Sequence, residues 1–250
     1  MMSPGLVLLS DQMALERSLD VVANNIANSN TTGFKREAMQ FDTVLSNLGG
    51  GASSTAPISF VYDRATYRDM KPGAISNTGN PLDLAIQGDG YFQVQTPQGK
   101  QYTRDGAFQI DNQGQIVTAS GLPILSDSGQ PIIIPDQSTD LTISGDGTVS
   151  VQNGTVTSRT ILGKVGVVEF ANNQALSPTG AGLYTTTQAP TPAAANNVIV
   201  EGALEQSNVQ PVVEITDLIK IQRAYEQATN MISNENTRLD NAIDKLSQTS

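Results

Sequence analysis

Histidine, cysteine and tryptophan are all absent from this 250-residue chain. Without His and Cys it lacks the commonest general base, the commonest metal ligand and the thiolate nucleophile, which leaves carboxylate, Ser, Thr, Tyr or Lys chemistry for any catalytic reading. Absence of Cys excludes disulfides and thiolate metal sites and suits an oxidising compartment as well as the cytosol. Aromatics make up 5% of the chain, fewer than a tight small-molecule pocket ordinarily uses. Positive charge is also scarce: 14 Lys and Arg stand against 24 Asp and Glu, a formal net charge of -10. With the basic residues scattered, no cationic stripe exists to neutralise phosphates, so neither nucleic acid nor an anionic membrane surface is expected as a partner. No run approaches the ~18 apolar residues of a transmembrane helix, so no membrane insertion is expected. The first cation is Arg17 and the apolar run Leu6 to Leu9 is short. No cleavable signal is therefore expected, and the chain is read as soluble or as leaving the cytosol by a route that does not cleave it.

What the chain does have is helical periodicity at both ends. Leu218, Tyr225, Ile232, Leu239 and Leu246 recur at heptad spacing, with Ile221, Ala228 and Ala242 three residues further along, and Glu235 interrupts the second row. Near the N-terminus Leu8, Leu15 and Val22 form one row and Leu19 and Ile26 the adjacent one. Such rows predict a and d positions of a coiled coil, in which a polar seam residue favours one partner register. Ser3-Pro4 fits an N-cap and first helical position, and Pro211 with Glu214 and Asp217 fits a negative first turn. Ordinary helix packing inside one domain would give the same periodicity.

Between the helices the pattern changes to period two. Leu82, Leu84 and Ile86 alternate before Gly88-Asp89-Gly90, and short apolar runs follow from Tyr91 to Phe170. Asp111-Asn112-Gln113-Gly114, Asp127-Ser128-Gly129, Gly145-Asp146-Gly147 and Asn153-Gly154 lie between them, each suited to a hairpin or loop. The abundance of Asn, Gln, Ser, Thr and Gly agrees with turn-rich β structure. The expected fold is α+β, with N- and C-terminal helices paired as a coiled-coil stem carrying a mostly antiparallel β head. The expected domains are an axial helix and turn motif over 1–35, a partly flexible connector over 36–79, a head over 80–205 and a C-terminal axial helix over 206–250. Residues Asn47 to Thr55, with three consecutive Gly, read as flexible.

Catalytic and metal readings fare poorly. Asp89, Asp105, Asp111, Asp127 and Asp146 each lie within three residues of a Gly, where Asp is a turn former, and none opens an EF-hand spacing. No cofactor, metal or catalytic residue is expected. Lys35-Arg36 reads as a solvated basic pair.

Asn28-Ser29-Asn30-Thr31-Thr32-Gly33-Phe34 should stop the first helix and redirect the chain. The run from Ala23 to Lys35, which holds Asn24, Asn25, Asn28, Asn30, Thr31, Thr32, Gly33 and Phe34, closely resembles the N-terminal signature of the bacterial flagellar rod and hook proteins. Thr78 to Phe92, and Leu204 to Val209 continuing to Gln222-Arg223-Ala224-Tyr225-Glu226, resemble the same family in its order. Gln12 to Leu15 leading into Leu19 to Val22, with the long tail after Tyr225, is most similar to proximal-rod members, with distal-rod members as the alternative. The resemblance implies a non-enzymatic structural subunit of the flagellar basal-body rod in the periplasm. It also implies that the helices (Leu8, Leu15, Leu19, Val22, Ile26, Leu218, Ile221, Tyr225, Ala228, Ile232, Leu239, Leu246) bind other rod subunits and further copies of the chain, and that export runs through the flagellar type III apparatus. A β-rich surface binding module on a helical oligomerisation stem is the rival reading from a different class.

Overall fold

A computed structural model describes residues 4–46, 58–136, 138–153, 159–194 and 197–247. Helix α1 (Pro4–Ala27) ends where the Asn28 turn begins, with the Thr31 amide donating to the Asn28 carbonyl at 3.1 Å. Strands β1 (Glu37–Ser46) and β2 (Ile58–Arg68) form an antiparallel hairpin inside the stretch expected as a connector. The flexible run expected at Asn47 to Thr55 lies outside the described residues. The long helix that closes the chain, α2 (Pro211–Ser247), starts on a proline and has Glu214 in its first turn and Lys245 in its last, as the helix dipole favours.

The remaining strands are short: β3 (Ile75–Asn77), β4 (Leu84–Gln87), β5 (Tyr91–Thr96), β6 (Gly99–Thr103), β7 (Phe108–Ile110), β8 (Ile116–Thr118), β9 (Ser138–Ile143), β10 (Thr148–Asn153), β11 (Arg159–Lys164), β12 (Val167–Glu169), β13 (Ser177–Gly180), β14 (Leu183–Thr185), β15 (Thr191–Pro192), β16 (Val198–Glu201) and β17 (Ala203–Glu205). Every pairing among the described strands is antiparallel, and the largest sheet runs β13-β14-β6-β5-β12-β15. The turn chemistry is as the sequence suggests. At Gly145-Asp146-Gly147, between β9 and β10, Gly147 takes φ +92°, a left-handed conformation that glycine adopts without penalty.

Two units make up the molecule. The first comprises α1, the β1–β2 hairpin and α2, and the second holds Asn28–Arg36 with Met70–Asn208. The second unit contains the apolar core: Leu84, Ile86, Phe92, Phe108, Ile116, Ile124 and further Ile and Val side chains cluster, and Tyr91, Tyr102, Phe170, Leu176 and Tyr184 make a second, aromatic cluster. Aromatic edges meet faces there, as between Phe92 and Phe108 at 5.1 Å between centroids.

In the first unit the expected coiled-coil stem is not what forms. The helices run antiparallel, with Asn25 meeting Glu214 and Gln12 meeting Tyr225. Stepping on from Gln12 to Pro4, and by the same number of residues from Tyr225, reaches Ser233. Beyond it α2 extends past the described start of α1, and Ala242 of the expected seam is exposed. The lengths explain this, since 24 residues rise about 36 Å and 37 residues about 55 Å. Helix α1 also packs on β1 and β2. The unit is thus two unequal helices with a hairpin, and among the described side chains no continuous heptad seam is buried between them.

Candidate functional site

The first unit holds the residues expected to bind partners. On α1, Val22 is buried while Leu8, Leu15, Leu19 and Ile26 are half-buried. On α2, Ala228 is buried while Leu218, Ile221, Tyr225 and Ile232 are half-buried, and the Tyr225 hydroxyl accepts from Gln12 Nε2 at 2.9 Å. The side chains of Leu239 and Leu246 lie outside the described residues. Helical spacing places Val212, Ile215 and Ile219 within one narrow stripe that borders the heptad row, Ile215 lying three residues before Leu218. All three are exposed, Val212 by 78%. Leu9 and Met13 of α1 are exposed as well. Val212 and Ile219 are seven residues apart with Ile215 three beyond Val212, but the rows continue into Gln222 and Glu226, so the stripe is too short to stand out as a repeat.

The Asn-rich signature is divided between the units. Asn25 is fully buried in the first, where it exchanges two hydrogen bonds with the backbone of Glu37: Asn25 Nδ2 donates to the carbonyl at 2.8 Å, and the Glu37 amide donates to Asn25 Oδ1 at 2.9 Å. Asn25 Nδ2 also donates to the buried Glu214 carboxylate at 3.1 Å. Asn24 is exposed. In the second unit Asn28 and Thr31 shape the turn, Asn30 is exposed, Thr32 donates its hydroxyl to Asp105, and Phe34 is half-buried. Gly33 takes φ +67°, and a Cβ there would sit 2.6 Å from the Arg104 carbonyl carbon. Only glycine meets both conditions.

That close approach leads to the most highly charged buried feature among the described residues, and it corrects the solvated reading of Lys35. Lys35 is 2% exposed and its Nζ donates to Glu205 Oε1 at 2.6 Å and to the Lys71 carbonyl at 3.0 Å. Arg104, 4% exposed, donates from Nη1 to Glu205 Oε2 at 3.3 Å and from Nη2 to the Gly88 carbonyl at 2.7 Å, with its guanidinium 5.0 Å from the Tyr91 ring centre. Glu205 Oε1 also accepts the Gly73 amide at 3.0 Å. Two cations therefore share one carboxylate, and carbonyls take up the excess positive charge. One signal was present in the sequence: in a strand, Ala203 and Glu205 point to the same face, and Ala203 is an inward residue.

Three of the aspartates serve turns. Asp111 Oδ1 accepts the Gln113 and Gln115 amides, and Asp105 Oδ1 accepts that of Ala107. Asp146 accepts both the amide and the hydroxyl of Thr148, which lowers its pKa below the usual carboxylate value. No group of three or more Asp or Glu among the described residues is placed to hold a metal.

Three family models match in chain order: "Flagella basal body rod protein" over residues 6–35, "Flagellar hook protein FlgE/F/G D1 domain" over 85–151, and "Flagellar basal body rod FlgEFG protein C-terminal" over 200–245. The flagellar basal-body rod protein FlgF of Caulobacter vibrioides is 41% identical over 95% of this chain and 95% of its own length. The chain belongs to the flagellar basal-body rod protein family. Its FlgF relative in Mesorhizobium japonicum is 35% identical over 96% of both chains, and the rod protein FlgG of Caulobacter vibrioides is 37% identical over 90% of this chain and 92% of its own. Lys35, Arg104 and Glu205 fall one in each of the three segments that the rod-family models match.

Proposed function

We propose that this chain is a structural subunit of the proximal part of the flagellar rod, a tubular drive shaft that transmits torque and encloses the export channel. Rod-family proteins assemble with other rod subunits, and neither the family nor the geometry of the aspartates calls for catalysis. The observation that carries the proximal reading is a comparison within one organism: against Caulobacter vibrioides the chain is 41% identical to FlgF and 37% to FlgG, with more of its length covered in the first case. The FlgG likeness is what favours the distal rod as the second reading.

The assembly surface proposed is the first unit. Its half-buried row from Leu218 to Ile232, and the exposed Val212, Ile215, Ile219, Leu9 and Met13, are apolar groups that a neighbouring subunit would cover, at ~1.5 to 3 kcal/mol for each large side chain fully buried. Passage through the flagellar type III apparatus without signal cleavage belongs to the same proposal.

Cryo-electron microscopy of basal bodies isolated from the source cells tests this reading. Density for the chain in the proximal rod, with α2 against neighbouring subunits, is the expected result. Density in the distal rod would transfer the assignment to the second reading, and a complete rod without this chain would overturn both.

A further inference from the structure

We propose that Glu205 is the catch of a two-ended clasp, so that the β unit closes only when the N-terminal segment around Lys35 and the C-terminal segment around Glu205 are both seated on it. The clasp is more than one ion pair. The Gly33 amide donates to the Glu205 carbonyl at 2.8 Å, the Gln206 amide to the Ala74 carbonyl at 2.8 Å, and the Arg36 amide to Asn208 Oδ1 at 2.7 Å. Asn208 Nδ2 donates in turn to the Lys71 carbonyl at 3.0 Å. Residues near 33–36, 71–74, 86–88, 104 and 205–208, spread over most of the chain, therefore converge on one carboxylate.

The electrostatics make the dependence steep. With Glu205 in place the buried group carries two cations and one anion. Without it, two buried cations, Lys35 and Arg104, lose the carboxylate that both contact, a loss that low-dielectric surroundings make costly. The same C-terminal segment supplies β16 and β17, which pair with β4 and β3, and β4 carries Leu84 and Ile86 of the main core. Close packing adds to the dependence: a Cβ on Gly73 would lie 1.8 Å from the Gln206 carbonyl oxygen. Because synthesis delivers the chain from its N-terminus, residues 28–200 are complete before the catch exists. The unit then stays open until its last segment arrives, and the N-terminal signature from Asn28 to Arg36 serves the fold of its own chain.

Amide hydrogen exchange on the full chain tests the clasp, comparing wild type with Glu205→Gln and Lys35→Met. Glu205→Gln should lower protection at 33–36, 71–74 and 84–88 together, by about a hundredfold or more, the scale of breaking a buried charge pair. Lys35→Met removes the N-terminal charge and leaves both partners of the contact between Glu205 and Arg104 in place. It should still lower protection in β4 and β16. Should Lys35→Met loosen residues 33–36 alone, with β4 and β16 as protected as in wild type, the clasp is wrong, even if Glu205→Gln unfolds the whole unit.

Discussion

In the β unit thirteen buried Leu, Ile, Val and Phe side chains close on one another, whereas in the helical unit Ala14, Val22, Val209 and Ala228 are the buried apolar residues among the side chains whose burial is described. The two also differ in what they leave outside. Exposed apolar groups of the β unit, such as Ile133 and Ile161, stand singly on separate elements, while Val212, Ile215 and Ile219 stand together along one helix. Scattered apolar residues are ordinary on a protein surface; an aligned stripe along one helix is not. The difference teaches where, under the proposed assembly, the first unit would meet a neighbouring subunit: along that stripe.

The largest change expected is at the centre of the β unit. Phe92→Ala should lower its stability by about 3 to 5 kcal/mol, read from the urea midpoint, because the Phe108 ring loses its partner and a cavity remains. An equally large loss of helical signal from α2 in the same variant would blur the separation of the units.

Asn25→Ala should cost about 1 to 3 kcal/mol in the helical unit, since the Glu37 backbone and the Glu214 carboxylate each lose a buried partner. Following the helical signal at 222 nm beside amide exchange in β5 separates this effect from the previous one. Unchanged helix melting would mean that the buried Asn is spectator packing.

A smaller effect sharpens the account of the aromatic cluster through pH. Burial raises the Tyr102 hydroxyl above its ordinary pKa of 10.0, so the folded form keeps its proton at a pH where the unfolded chain has lost it. The unfolded state then binds fewer protons, and stability is complete below pH about 10 and falls as pH rises through the folded value. Tyr102→Phe should flatten that alkaline decline in a denaturant series across the same range; an unchanged slope would remove Tyr102 as its cause.

Smallest in stability is Ile219→Asp, expected within about 0.5 kcal/mol of wild type because the side chain is exposed. Its effect should appear in assembly, as loss of incorporation into basal bodies, while Asp146→Ala in an exposed turn of the β unit leaves incorporation intact. Equal incorporation of the two variants would locate the assembly surface elsewhere.

How much of this was legible follows from the range of the interactions. Helix ends were readable because Pro4, the Asn28 turn, Pro211 and Glu214 act locally, and hairpin turns because Asp and Gly determine them within four residues. The β1–β2 hairpin was hidden by a bulge. Ile58, Phe60 and Tyr62 alternate, but the register shifts opposite Gln40 and Phe41, with Arg64 as the extra residue, so the alternation resumes out of phase at Ala65 and Tyr67. The coiled-coil expectation failed for a different reason: heptad spacing describes one face of one helix and says nothing about how long its neighbour is. Lys35, Arg104 and Glu205 were the hardest to see, because each looks like a surface charge until residues 170 positions apart are brought together.

The most direct test of the contrast between a self-sufficient β unit and a helical unit completed by assembly is amide exchange on the dilute, unassembled chain. The account predicts the highest protection in β4, β5 and β8 and rapid exchange along α2 beyond Ser233, where no part of α1 among the described residues runs alongside. Protection of that last stretch of α2 equal to that of β5 would contradict it, since the helix would then be complete without a partner.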